Sequence, residues 1–160
     1  MRIAVIVAFA FVATAAIVAG QHQHPSMSER GAKVMGFDQE KTVHQFLLYT
    51  DGGAIDVSVK DAKDKSNVDA IRSHLPHIAV MFGRGNFEAP MLVHETTVPG
   101  TPEMARLKER IQFKYSATPK GGRVDITTDD REALAAVHAF LRFQIADHKT
   151  GDSTEVKRRQ

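Results

Sequence analysis

The stretch that decides the fold runs from Val68 to Gly83 and reads VDAIRSHLPHIAVMFG. Its large apolar side chains recur every three or four residues, which is the spacing of one face of an α-helix. They are Val68, Ile71, Leu75, Ile78 and Phe82. Most positions between them are polar or small, so the stretch predicts an amphipathic helix packed against a core. Because Pro76 removes a backbone hydrogen bond, we expect a kink or a break near Ser73.

A β-hairpin is predicted before this helix. Residues 43–49 and 54–59 are rich in β-forming side chains, and the segment 50–53 between them ends in two glycines that suit a tight turn. Alternate residues of a strand share one face, so His44 is expected to point inward with the apolar residues two and four positions later. A cap for the following helix is available at Ser66 or Asn67.

A second hairpin and a second helix follow. Apolar and polar residues alternate over 110–117 and again over 124–128, on either side of a glycine-containing turn at 118–122. Asp129 or Asp130 then caps a final helix, expected over Arg131–Lys149.

The two halves of the chain match each other. Residues 52–57 read GGAIDV and residues 121–126 read GGRVDI. This similarity predicts an internal ββα-ββα repeat, with chance likeness of two hairpin-helix units as the alternative. Each unit leaves an apolar face that only the other can bury. The predicted fold is therefore α+β, a two-layer sandwich of one four-stranded antiparallel sheet and two main helices.

Residues 1–20 have the pattern of a signal peptide. Arg2 precedes an uncharged apolar run from Ile3 to Ala19, and small residues lie just before Gln21. An uncleaved anchor is the alternative, although the run is short for a membrane span. We expect a periplasmic or secreted protein, whose only membrane contact is this segment if it stays uncleaved.

The rest of the chain divides into one domain and two tails. Residues 42–150 are expected to form a single domain. Residues 21–41 lack apolar periodicity, which predicts a mobile arm, and residues 151–160 are expected to form a flexible basic tail. The net charge is only +2 with both signs interspersed, so nucleic acid is a poor partner. The absence of cysteine excludes thiolate metal sites.

Histidine and methionine gather along one border of the central helix and in the segment after it. Side chains three and four positions apart are neighbours on a helix, so His74, His77 and Met81 follow one another. The full set of candidate metal ligands is His74, His77, Met81, Met91, His94 and His44. Imidazole with thioether is a soft donor set, which favours copper and makes zinc the less favoured ion. The alternative is that the methionines fill the core and the histidines lie at its rim.

The predicted function is an exported binding protein that holds a transition metal at this cluster. The alternative is a small-ligand or protein-interaction module without metal, whose groove lies between the central helix and residues 87–98. Enzyme chemistry has little support, because Ser73, His74 and Asp69 are sequence neighbours without the geometry of a triad. His138 fits a hydrogen-bonded core histidine, and His148 fits a favourable charge at a helix end. No physiological partner is predicted.

Several short motifs stand out between residues 35 and 152. They are Met35-Gly36-Phe37-Asp38-Gln39, Thr42-Val43-His44, Asp51-Gly52-Gly53, His74-Leu75-Pro76-His77-Ile78, Gly85-Asn86-Phe87-Glu88-Ala89-Pro90-Met91 and Phe140-Leu141-Arg142-Phe143-Gln144-Ile145. In these motifs the chain resembles a group of small exported bacterial proteins without established function. Some members carry an aspartate carbamoyltransferase label, but this chain has no carbamoyl-phosphate signature and is too short for that enzyme's two domains. The resemblance therefore implies export and no activity.

Overall fold

The computed structural model describes residues 26–159. Its strands are β1 (Thr42–Tyr49), β2 (Gly52–Val59), β3 (Gln112–Thr118) and β4 (Gly121–Thr127). They form one antiparallel sheet in the order β1-β2-β4-β3. The predicted α+β fold with two hairpins in one four-stranded sheet is thereby confirmed. The predicted signal peptide of residues 1–20 lies outside the described residues.

The helices complete the second layer. Within residues 26–159 they are α1 (Met27–Met35), α2 (Lys65–Gly83), α3 (Glu88–His94), α4 (Thr101–Arg106) and α5 (Arg131–His148). Short 3-10 turns occupy Gln39–Lys41 and Lys108–Arg110. None of these helices has both the length and the apolar character needed to cross a membrane.

Each long helix packs mainly on the hairpin of the other half of the chain. Helix α2 follows the β1-β2 hairpin but lies chiefly against β3 and β4, whereas α5 follows the β3-β4 hairpin and lies against β1 and β2. The buried stripe of α2, from Val68 to Phe82, thus meets the second hairpin. Because each half covers chiefly the strands of the other, the two halves form one core and should unfold together.

The glycines of the two hairpins serve close strand packing rather than the turns. The predicted turn over residues 50–53 is shorter, because β1 ends at Tyr49 and Gly52 already belongs to β2. A Cβ at Gly52 would lie 2.0 Å from the Ile126 carbonyl oxygen. One at Gly121 would lie 2.1 Å from the Val57 carbonyl oxygen. Two glycines with equivalent roles agree with the sequence match between the halves, and the duplication itself stays a prediction.

Helix α2 is longer and more regular than expected. It begins after Asp64, whose carboxylate accepts a hydrogen bond from the Asn67 backbone N–H, rather than after Ser66 or Asn67. It continues to Gly83 with Pro76 inside it, so the expected break near Ser73 does not occur. Burial of the apolar stripe on both sides of the proline can offset one lost backbone hydrogen bond.

The predicted mobile arm over residues 21–41 is ordered in its described part. Ser26 caps α1 in a capping box with Glu29. The Arg30 Nε–H donates to the Val93 carbonyl at 2.8 Å, which fastens α1 to α3. Ser and Glu three residues apart are a sequence signal for a helix start, which a search for apolar periodicity alone does not detect.

The C-terminal segment, predicted as a flexible basic tail, instead lies along β1. The Phe46 N–H donates to the Asp152 carboxylate at 2.8 Å. Lys157 donates its N–H to the Leu48 carbonyl and accepts the N–H of Thr50, at 3.0 and 2.9 Å. The segment therefore follows β1 through backbone hydrogen bonds that a count of basic residues does not reveal.

Arg159, in the same segment, lies in a charged cluster on the sheet. Its guanidinium donates to Asp51 at 3.0 Å and to Asp125 at 2.5 Å, and lies 4.5 Å from the centre of the Tyr49 ring. We expect Arg159→Met to lower the free energy of unfolding by about 1–2 kcal/mol, since a networked charge with a cation–π contact exceeds an isolated surface pair. Arg158→Met, at an exposed neighbour, is the control. Equal urea midpoints for the two variants would contradict the role of Arg159.

Candidate functional site

A cavity of about 80 Å³ lies between the sheet and the helices. Strands β1 and β2 form its floor, α2 and α5 its sides, and α1 and α3 its cover. Most of its lining is apolar: Val34, Met35, Phe46, Ile55, Val57, Leu75, Ile78, Phe82, Ala89, Pro90, Val93 and Phe140. The polar side chains that line it are His44, His74, His94, Gln144 and His148. The cavity therefore joins apolar walls to a cluster of imidazoles and one amide.

Four different elements bring the histidines together. His44 lies on the inner face of β1, opposite Val57 of β2. His74 comes from α2, while His94 and His148 are the last residues of α3 and α5. The cluster depends on the packing of these elements, because no two of its histidines come from the same one.

The imidazole rings contact one another directly. His44 and His148 stack with ring centres 5.7 Å apart and planes at 15°. His94 meets the edge or face of His148 at 5.0 Å, with planes at 87°. Phe37 contacts both His44 and His74 at 5.9 Å. Aromatic packing thus holds the cluster in place from the side of the N-terminal arm.

Hydrogen bonds orient His94 but leave other polar atoms of the site without partners. The His94 Nδ1 lies 2.5 Å from the Asp147 carboxylate, to which it donates. Its Nε2 lies 3.1 Å from the amide oxygen of Gln144. The Gln144 Nε2 and the His44 Nε2 are buried and have no hydrogen-bond partner among the described residues. The site therefore offers two unused hydrogen-bonding atoms.

His44 and His148 are uncharged at neutral pH. Burial lowers the pKa of His44 to about 4, with further lowering from the nearby His148 and His74. Burial also lowers the pKa of His148 to about 4, assisted by His94 and opposed by Asp147. The pKa of His74 is lowered by burial and then by His77. Removing a charged imidazole from water is unfavourable, and its neighbours add repulsion.

Three of the six predicted ligands lie at this cavity. His44, His74 and His94 line it, whereas His77, Met81 and Met91 are not among its lining residues. His77 is exposed and donates its Nδ1–H to the Ser73 carbonyl of its own helix at 2.7 Å. His77 therefore faces water on α2 and is not part of the cavity lining.

Of the two methionines predicted as ligands, one agrees with the alternative that they fill the core. Met81 is partly buried against the core, and Met91 is 37% exposed on α3. Within residues 26–159, no group of three or more His, Asp or Glu side chains is arranged to hold a metal ion. The cavity is thus lined by imidazole and amide groups, whereas Met81 and Met91, the thioether donors of the copper hypothesis, are not among its lining residues.

His148 was not predicted as a site residue. The sequence interpretation used it only as a charge at a helix end, whereas it lies at the centre of the cluster. Gln144 and His148 are four residues apart and so share one face of α5, which was the available signal. The prediction that His138 is a hydrogen-bonded core histidine is confirmed, since its Nε2–H donates to the Tyr49 and Gly52 carbonyls at 2.9 and 3.0 Å.

Comparison with known proteins finds no matching family model, no similar curated protein and no similar solved structure.

Proposed function

We propose that the protein is an exported binding protein that holds a small, largely apolar molecule in this cavity. The observation that carries the proposal is an apolar cavity bordered by histidines and by two unpaired polar atoms, those of His44 and Gln144. Ligand sites usually combine apolar walls with a few polar groups in this way. The position agrees with the predicted groove, because α2 and residues 89–94 form two of the walls.

The size of the cavity limits the ligand. Its volume of about 80 Å³ is smaller than that of an engineered ~150 Å³ cavity that binds benzene. A molecule of a few heavy atoms, or the end of a longer chain, suits this space. A neighbouring surface groove shares Val34, Met35 and His74 with the cavity and provides room for a longer tail.

Filling the cavity should abolish binding. In Ala89→Phe, the new ring would occupy the space beside Pro90 and Val93, whereas Leu92→Phe places the same ring at a position that is 61% exposed on the same helix. We expect 1-butanol to shift the NMR methyl signals of Val57 and Val93 in the wild type and in Leu92→Phe. The shifts should disappear in Ala89→Phe. Equal titration curves for both variants, or no shift in the wild type, would contradict the proposal.

Transition-metal binding is the second candidate. It is supported by the approach of His44 and His94 to His148, at 5.7 and 5.0 Å between ring centres. Both His94 nitrogens already face Asp147 and Gln144, so a metal would have to displace one of these contacts. Calorimetric titration of untagged protein with copper and with zinc tests this candidate. It requires one ion per chain and loss of binding in His148→Phe, which keeps a ring but removes both nitrogens.

A further inference from the structure

Two polar atoms of the cavity bear on the chemistry of its ligand. Gln144 is 4% exposed, and its amide nitrogen has no partner although its oxygen faces His94. His44 Nε2 is also buried without a partner. Buried polar atoms are paired in most native proteins. Two such atoms lining one cavity therefore indicate that the bound molecule supplies a polar group there.

Contacts through His94 and His148 join Gln144 to His44 along the cavity wall. Gln144 is in contact with His94, His94 with His148, and His148 with His44, through one hydrogen bond and two ring contacts. The apolar residues of β2 and α2 line the remaining walls. A ligand should thus direct a polar group toward the histidines and an apolar part toward these walls.

We propose that the bound molecule is a small alcohol whose hydroxyl group contacts Gln144 and His44; this inference rests on the proposed function. A hydroxyl both donates one hydrogen bond and accepts two. It can accept from the Gln144 N–H and pair with His44 Nε2 in either tautomer of that ring. The alkyl part then gains from burial against Val57 and Ile78.

A carboxylate is a poorer match to the same atoms. Among residues 26–159, no lysine or arginine lines the cavity, so a buried anion would lack a permanent positive partner there. Protonation of His44 or of His148 would be opposed by burial and by the adjacent rings. An amine is disfavoured for a related reason, since none of the Asp and Glu residues that the structure describes lines the cavity.

The test compares ligands that differ only at the polar end. We expect 1-butanol to bind the wild type about tenfold tighter than 1-fluorobutane, which has a similar shape but cannot donate, because a net hydrogen bond in a buried site corresponds to such a ratio. In Gln144→Leu and in His44→Leu the ratio should fall toward one. The affinity for 1-fluorobutane should stay near its wild-type value, since each change leaves an apolar wall.

The outcomes separate this inference from the proposed function. If 1-fluorobutane binds as tightly as 1-butanol and Ala89→Phe still blocks both, the cavity binds apolar molecules and the hydroxyl inference is overturned. Tighter binding of butyrate than of 1-butanol overturns it as well. If no probe binds, both proposals fail. Should Gln144→Leu not fold, the ratio measured in His44→Leu decides alone.

Discussion

Replacing Ile71 with Asp should leave the protein unfolded at 25 °C without denaturant. Ile71 is 0% exposed, in the stripe of α2 that faces the sheet. The change removes a buried apolar side chain, which costs roughly 2–5 kcal/mol, and adds a buried charge without a partner, which costs several more. The sum is comparable to the roughly 5–15 kcal/mol that stabilises a domain of this kind.

The same helix offers a matched control for this change. Val80 is 53% exposed, so Val80→Asp introduces the same charge at a position in contact with water. Its cost should stay below about 1 kcal/mol, mostly from helix propensity. Circular dichroism and urea unfolding of the two variants provide the measurement. A cooperative transition for Ile71→Asp close to that of Val80→Asp would show that the stripe of α2 is not in the core.

Acid should destabilise the protein well above the pH at which most carboxylates protonate. The pKa of His44 and of His148 falls from the usual 6.5 to about 4 in the folded chain. Between these values the unfolded chain binds protons that the folded chain does not, so the free energy of unfolding decreases as the pH falls. From pH 7.5 to 5.0 the expected loss is about 2 kcal/mol for each of the two histidines.

Urea unfolding at pH 7.5, 6.0 and 5.0 measures this loss. His44→Leu should remove the part that belongs to His44, because leucine does not titrate. Gln45→Leu, at an exposed neighbour on the same strand, should keep the wild-type pH dependence. A free energy of unfolding that stays constant from pH 7.5 to 5.0 would contradict the burial of the cluster, as would equal flattening in both variants.

The fold could be predicted from sequence because its signals are local. Alternating apolar residues mark the strands, and the cap at Asp130 marks the start of α5. The cluster depends on long-range placement instead. His148 reaches His44 only because α5 crosses to β1 and β2, and a spacing rule within one helix contains no such information.

The choice between His74 and His77 illustrates the same limit. Both border the apolar stripe of α2, and the sequence gives them equal standing. The difference arises from the segment after α1, where Phe37 packs against His74. Because that segment was expected to be mobile, no contact with either histidine could be predicted from it.

The path of the C-terminal segment along β1 also bears on self-association. Among the described strands, β1 is an outer strand that pairs with β2 alone, so one row of its backbone groups faces away from the sheet. An open row of this kind is a template on which a strand of another molecule can pair. On that side, Asp152 and Lys157 form hydrogen bonds with the backbone N–H groups of Phe46 and Thr50 and with the carbonyl of Leu48. Because the segment occupies this edge, it should prevent β1 of one molecule from pairing with a strand of another.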